Sequence, residues 1–265
     1  MRTLSLLGLI IGLSLPKAFC QVFTEINNFA LSLAKQGVAV DSDHFYVVNN
    51  SIITKHQKKD GQLIATFEGE SLGFTHLNSG VVVDGLLYCA NSNFPNHPML
   101  SSIEIFDTQT LTHVKSHSFG IDNRGSLTWV DRYDGHWWAV FAHYAGKNAS
   151  EGKDNRWTTL VKLNDQWQQL GAWVFPKNMI EAFGNYSNSG GNWSPDGTLY
   201  CTGHDEGEIY ELKIPKAGYT LEYLRTIPAP GIQGQGIAID RSVKEEIVLY
   251  GIQRKTNRVT VSVLK

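Results

Sequence analysis

The sequence predicts an all-β chain folded as a five-bladed β-propeller, with about four antiparallel strands per blade and the ring closed by an N-terminal strand. Three observations predict it. One pattern recurs five times, starting at Gln36, Ser79, Ser126, Gly191 and Gln235. Each copy has a small or amide residue, an alternating apolar stretch, an Asp-centred turn and a second stretch rich in Tyr or Trp, then one or two more strand-like runs. The starts are 43, 47, 65 and 44 residues apart, a period that fits four-stranded blades. Composition agrees, since 25 Gly, 10 Tyr, 12 Phe and 7 Trp accompany short runs of Val, Ile and Thr among 265 residues.

From the N-terminus, "MRTLSLLGLIIGLSLPKAFCQ" has a charged start at Arg2 and an apolar stretch from Leu4 to Leu15. This reads as a secretory signal over 1–20 with cleavage close to Gln21, which implies a secreted or periplasmic protein. The stretch is too short to span a bilayer comfortably. A membrane anchor or a lipidated Cys20 is the alternative, but "KAFC" has no small residue just before the cysteine. Residues 21–265 then form a single propeller domain.

Residues 22–32 precede the first repeat at the same offset at which "LEYLRTIPAPGIQG" precedes the last. They are expected to be a strand, although Ile26, Phe29, Ala30 and Leu33 also have helical spacing. The first unit runs from "KQGVAVDSDHFYVVNN" through "SIITKHQKKDGQLIATFEG", and the second from "NSGVVVDGLLYCANSN" through "SSIEIFDTQTLTHVKSHSFG". The third holds "RGSLTWVDRYDGHWWAVFAH" and "WTTLVKLNDQWQQLGAWVF"; the fourth, "GGNWSPDGTLYCTGHD" and "GEIYELKIPKAGYTLEYLRTI". The fifth, from "GQGIAIDRSVKEEIVLYGIQ", stops at "NRVTVSVLK" after three strands. Its missing fourth strand must come from elsewhere, or backbone groups at the edge would stay unpaired. Cys89 and Cys201 each follow a tyrosine at equivalent repeat positions, which suits small buried residues better than a disulfide. Trp137, Trp138, Tyr88 and Tyr200 read as packing between blades. Glycosylation sequons occur at Asn49, Asn148, Asn185 and Asn192, the last expected within a strand.

The "SPDG" turn and the "LYC-G-D" pattern resemble those of secreted propellers of the TolB, NHL and SMP-30 gluconolactonase-like kinds. The resemblance covers blade-level patterning over most of the mature chain. Because the Glu-Gly-Pro metal-binding start of the gluconolactonase group is missing, none of that group's catalytic residues carries over.

Propeller topology puts the start of each innermost strand and the connection from second to third strand on one face, here called the top. The third unit is longer than the others by about twenty residues, carried by "HYAGKNASEGKDNR" and "PKNMIEAFGNYSNSG". Both insertions belong on top, as do "NSNFPNHPML" and the loop with His204, Asp205 and Glu206. Loops gathered on one face of a fixed scaffold mark a binding face. Gln36, Asn49, Asn78, Asn91, Gln235, Gln253 and Arg254 are expected there as substrate-binding residues. The amides either satisfy backbone groups between blades or recognise polyhydroxylated ligands. Arg254 either grips a carboxylate with its two-pronged donors or pairs with a neighbouring loop.

His143 and His204 are the candidate acid/base residues, with Glu181, if apolar surroundings raise its pKa, and Tyr144 beside them. His76, His143 and His204 approach the top from three blades and suit a divalent metal such as zinc, each with a singly hydrogen-bonded histidine as the plainer reading. Asp205 and Glu206, with Glu208 nearby, suit calcium or else form a solvated acidic turn.

A net charge of −2 with scattered Lys and Arg argues against nucleic-acid binding. No nucleophile elbow, phosphate loop, dinucleotide fingerprint or zinc-ribbon pattern is present. The leading expectation is a secreted enzyme acting on a small polar or carboxylate-bearing substrate at the top of the channel. Its reaction class would be hydrolase or lactonase, lyase or isomerase, using histidine acid/base chemistry with or without a metal. The alternatives are a non-catalytic, lectin-like propeller binding a saccharide or another small ligand, and a protein-interaction scaffold.

Overall fold

The computed structural model describes residues 21–121 and 123–265. The expected signal segment, 1–20, lies outside the described residues. Twenty strands form five four-stranded antiparallel sheets, so the chain is an all-β, five-bladed β-propeller. Blade 1 contains β2 (Gly37–Val40), β3 (His44–Asn49), β4 (Ile52–Gln57) and β5 (Leu63–Glu68). Blade 2 contains β6 (His76–Val83), β7 (Leu86–Ser92), β8 (Ser101–Asp107) and β9 (His113–Gly120). Blade 3 contains β10 (Ser126–Tyr133), β11 (His136–Ala142), β12 (Thr159–Leu163) and β13 (Gln169–Val174). Blade 4 contains β14 (Gly190–Trp193), β15 (Leu199–Thr202), β16 (Glu208–Lys213) and β17 (Glu222–Pro228).

The fifth sheet closes the ring. Its order is β1 (Phe23–Ala30), β20 (Arg258–Leu264), β19 (Val248–Gln253) and β18 (Ala238–Ile239). The N-terminal segment is therefore the outer strand of the last blade, antiparallel to β20 with Phe23 opposite Leu264 and Ala30 opposite Arg258. The strand reading of this segment holds over the helical one because β20 would otherwise offer an unpaired edge.

Sequence periodicity explains each blade. Innermost strands are covered on both faces and read as unbroken small or apolar runs, while outer strands such as β9 and β17 are largely exposed. Asp84–Gly85 and Asp134–Gly135 take positive φ angles of 49°, 77°, 48° and 70°. That is the backbone of the two-residue hairpin turns these Asp-Gly pairs predict.

Five apolar layers lie between neighbouring blades, one at each junction. Trp137 faces blade 2, whereas Trp138 faces blade 4. Cys89 and Cys201 are buried free thiols in the layers toward the preceding blades. Burial pushes both thiols far above the usual range.

Polar contacts join the blades from below and above. On the bottom, fully buried Asp131 accepts from Trp193 N at 2.7 Å and from Arg241 Nη2 at 2.6 Å, tying blades 3, 4 and 5 together. Asn192 Oδ1 accepts from Ile239 N at 2.8 Å, and Lys58 pairs with Asp240 at 2.6 Å. Near the top, innermost strands meet so closely that a Cβ on Gly236 would lie 2.7 Å from Ser79 Oγ and 2.8 Å from Gly37 Cα. Only glycine permits that approach. The contact draws the innermost strands of blades 1, 2 and 5 together; the strand starts above it are called the upper mouth and the strand ends below it the lower one.

One element was not expected. The second insertion of blade 3 contains α1 (Lys177–Phe183), whose Met179 and Phe183, one turn apart, bury into the layer between blades 3 and 4. No helix among the described residues is long and apolar enough to cross a membrane.

Phe23 is fully buried in the junction between blades 4 and 5, edge-on to Tyr200 at 6.0 Å between ring centroids. Phe23→Ala is expected to cost about 3–5 kcal/mol in denaturant unfolding, because it leaves a cavity at the seam. A loss below about 1 kcal/mol would mean that the seam contributes little.

Candidate functional site

The top face holds the features expected of it. The longer connections fall between second and third strands, or lead into the next innermost strand, in blades 2, 3 and 4. Where their side chains point divides the predicted residues into groups.

Arg254, just after β19, stands at the centre of the mouth. Its Nη1 lies 3.4 Å from Nε2 of His204, which belongs to the β15–β16 loop. His204 Nδ1 lies 2.9 Å from Asp205 Oδ1, off the line of a good hydrogen bond, so the contact is chiefly electrostatic. Among the described residues no carboxylate pairs with Arg254. The Tyr186 ring lies parallel to the His204 imidazole at 3.9 Å with an interplanar angle of 5°.

His76 flanks Arg254 on the other side. Burial, and then the Arg254 charge, lower its pKa to about 4, so it is neutral at neutral pH. Its Nδ1 is 3.3 Å from Asn50 Oδ1, which also accepts from Gln36 Nε2 at 3.3 Å. Asn50, rather than Asn49, supplies this polar contact. Asn49 is held in β3 opposite Ile52, while Asn50 (φ 55°) turns out of the strand and bridges to Leu77. Phe94 packs on His76 at 5.3 Å, and Tyr144 packs on Phe94 at 4.6 Å. An arc of rings thus runs Tyr144, Phe94, His76, across Arg254, to His204 and Tyr186.

Other predicted residues serve different ends. Gln235 is buried; its side chain donates to His204 O at 2.9 Å, and its carbonyl accepts from Thr202 Oγ1 at 2.6 Å. It therefore shapes the His204 loop. Asn78 is buried with no partner for Oδ1 among the described residues, and Asn91 donates to Ser102 Oγ at 3.0 Å. Gln253 lines a groove between blades 4 and 5 of about 640 Å³, together with Asp205, Glu206, Gln233 and Lys255.

His143 lies on the top face but not at the mouth. Its ring is buried against the backbone of Asn123 and Arg124, with Lys153 nearby; burial, then Lys153, lower its pKa. Burial pushes the Tyr144 hydroxyl up to about 12, toward the neutral, hydrogen-bonding form. Glu181 sits on the exposed side of α1, 65% exposed and 3.6 Å from Lys177. The apolar surroundings assumed for it are not there, because Met179 and Phe183 take the buried side of the helix.

Among the described residues no three His, Cys, Asp or Glu side chains converge as ligands. His143 lies against the Asn123 and Arg124 backbone, whereas His204 and His76 both feel the Arg254 guanidinium.

No protein-family model and no curated protein matches the sequence. Among solved structures, the chain is similar to a luciferin-regenerating enzyme at 10% identity and a TM-score of 0.51, over 92% of this chain and 95% of that one. It is also similar to a chain of a nidogen/laminin complex, at 15% identity and a TM-score of 0.48, over 76% of this chain and 66% of that one. A chain of a mitotic checkpoint complex aligns at 7% identity and a TM-score of 0.46, over 99% and 98%. The first of these likenesses shows the propeller fold and nothing finer.

Neutral His76 gives the site a pH dependence with a definite sign. Its folded-state pKa of about 4 lies below the ordinary imidazole value of about 6.5, so the unfolded chain binds more protons between them. Stability should fall as pH drops through that window, by up to roughly 3 kcal/mol from this group. Unfolding of His76→Gln should show a shallower acid loss than the parent; identical slopes would remove His76 as a source.

Proposed function

We propose that the upper mouth binds a small, polar, carboxylate-bearing molecule and that His204 performs acid/base chemistry on it. The observation that carries this reading is Arg254, a guanidinium at the mouth with no carboxylate partner among the described residues, set between two histidines. An incoming carboxylate offers it two acceptors in a matching plane. Neutral His76 and the Gln36–Asn50 pair give polar contacts beside it, and Phe94, Tyr144 and Tyr186 provide apolar walls.

Arg254 faces the Nε2 lone pair of His204 in the free protein. A bound carboxylate competes for the guanidinium and releases that nitrogen as a base. Asp205 beside Nδ1 stabilises the imidazolium once a proton is taken. Proton abstraction next to a carboxylate, or activation of a water for lactone opening, both use this arrangement. That keeps hydrolase or lactonase, lyase and isomerase chemistry together as the reaction class. The apolar leader supports an exported setting.

The same pocket supports a second reading, binding without turnover. Tyr186 covers one face of the His204 ring, which favours holding a ligand in place.

Calorimetric titration with citrate, L-tartrate and D-gluconate tests the anion anchor. Binding of at least one is expected in the parent, about tenfold or more weaker in Arg254→Ala, and partly restored in Arg254→Lys. Equal affinity in parent and Arg254→Ala would remove Arg254 from recognition. For any ligand that binds and turns over, His204→Asn should abolish turnover while binding persists. Binding with no product in the parent would favour the sequestering reading.

A further inference from the structure

The lower mouth of the channel, which the acid/base reading does not use, is a separate cavity with about 630 Å³ of open space. Strand ends of blades 1, 2, 4 and 5 line it. From its hydrogen-bond inventory we infer a second binding site, for a small neutral polyol such as a monosaccharide.

Asn192 carries the argument. It is 3% exposed, and its Oδ1 is taken by Ile239 N at 2.8 Å, which fixes the amide orientation. The Nδ2 group finds no acceptor among the described residues, yet it is not sealed from solvent. It is a held donor on the cavity wall. Arg241 is the second donor. Asp131 and Trp193 O occupy only Nη2, so Asp131 anchors the guanidinium while Nε and Nη1 remain for a ligand.

Acceptors stand beside these donors. Asp41 Oδ1 accepts from Asp43 N and His44 N, and Oδ2 accepts only from the Tyr46 hydroxyl. Asp240 Oδ1 accepts from Ser242 N and Oγ, and its Oδ2 pairs only with Lys58. Each Oδ2 keeps one lone pair for a ligand hydroxyl. Burial raises the Asp41 carboxyl, but Tyr46 and the two amides outweigh it and hold it ionised.

Charge decides the ligand class. Asp131 and Asp240 are paired with Arg241 and Lys58, while Asp41 keeps its charge beside the Tyr46 hydroxyl, so the cavity disfavours an anion, and the Asn192 and Arg241 donors on its wall disfavour a cation. A neutral molecule that both accepts from Asn192 and Arg241 and donates to Asp41 and Asp240 fits this set. Apolar wall from Val81 and Ile239 suits the C–H face of a sugar ring.

Saturation-transfer NMR and calorimetry with D-glucose, D-galactose and myo-inositol, with acetate as an anion control, test this. Asn192→Asp keeps the acceptor for Ile239 N and turns the donor into an acceptor. Ser42→Trp fills the rim from an exposed turn. Saturable millimolar binding of at least one polyol is expected, weakened at least about tenfold in both variants. It should be unchanged in Arg254→Ala, which separates it from the upper mouth. Circular dichroism and the melting temperature verify that both variants are folded; if one is not, Val82→Phe takes its place. No polyol binding in the parent, binding indifferent to both lower-mouth variants, or binding lost in Arg254→Ala would overturn the assignment.

Discussion

A blade is a sheet with two faces, and neither can be left to water. Every other feature follows from that constraint. Each apolar layer belongs to two blades at once, so no blade is complete alone, and the series must return to its beginning. Pairing of β1 with β20 makes the return. Hydrogen bonds at that seam protect an edge, while Phe23 and Phe29 on the same strand enter the two junctions flanking blade 5. The ring then fixes loops from different blades relative to one another, and a site can be assembled from residues far apart in the chain.

The sequence disclosed most of this architecture because the repeat is a physical one. Each small residue at a blade start marks a crowded axis, each Asp-Gly a tight hairpin, each alternating run a half-covered strand. Loop position alone predicts that Arg254 and His204, 50 residues apart in the chain, come together, and they lie 3.4 Å apart. Side-chain direction was not legible. Asn49 and Asn50 differ by one position, yet one stays in the ladder and the other turns to the mouth. His143 leads a top loop, but its ring withdraws beneath the 123–124 backbone. Tyr186 and Phe94 carry no signal in the sequence because aromatics in a long loop follow no period. The "MIEAF" stretch has the spacing of α1, but it is too short to stand out from the loop around it.

Electrostatics divides the two mouths. Above, the Arg254 guanidinium pairs with no carboxylate among the described residues and acts on the imidazoles of His204 and His76. Below, each cation already has an acid within hydrogen-bonding distance. Close packing of Gly236 against Ser79 and Gly37 joins the innermost strands of three blades.

Residues 22 and 265 exchange both backbone hydrogen bonds, at 2.9 and 3.0 Å, on the side of the disc where β1 begins and β20 finishes. A peptide linker of a few residues could join these positions, and the backbone could be reopened in an outer-strand turn such as 58–62, giving a circular permutant with the same blades. In such a molecule the seam would be covalently continuous and some other blade would carry the break. Likewise, a carrier or surface attached at residue 265 would hold the disc by its underside and leave the Arg254 face presented outward.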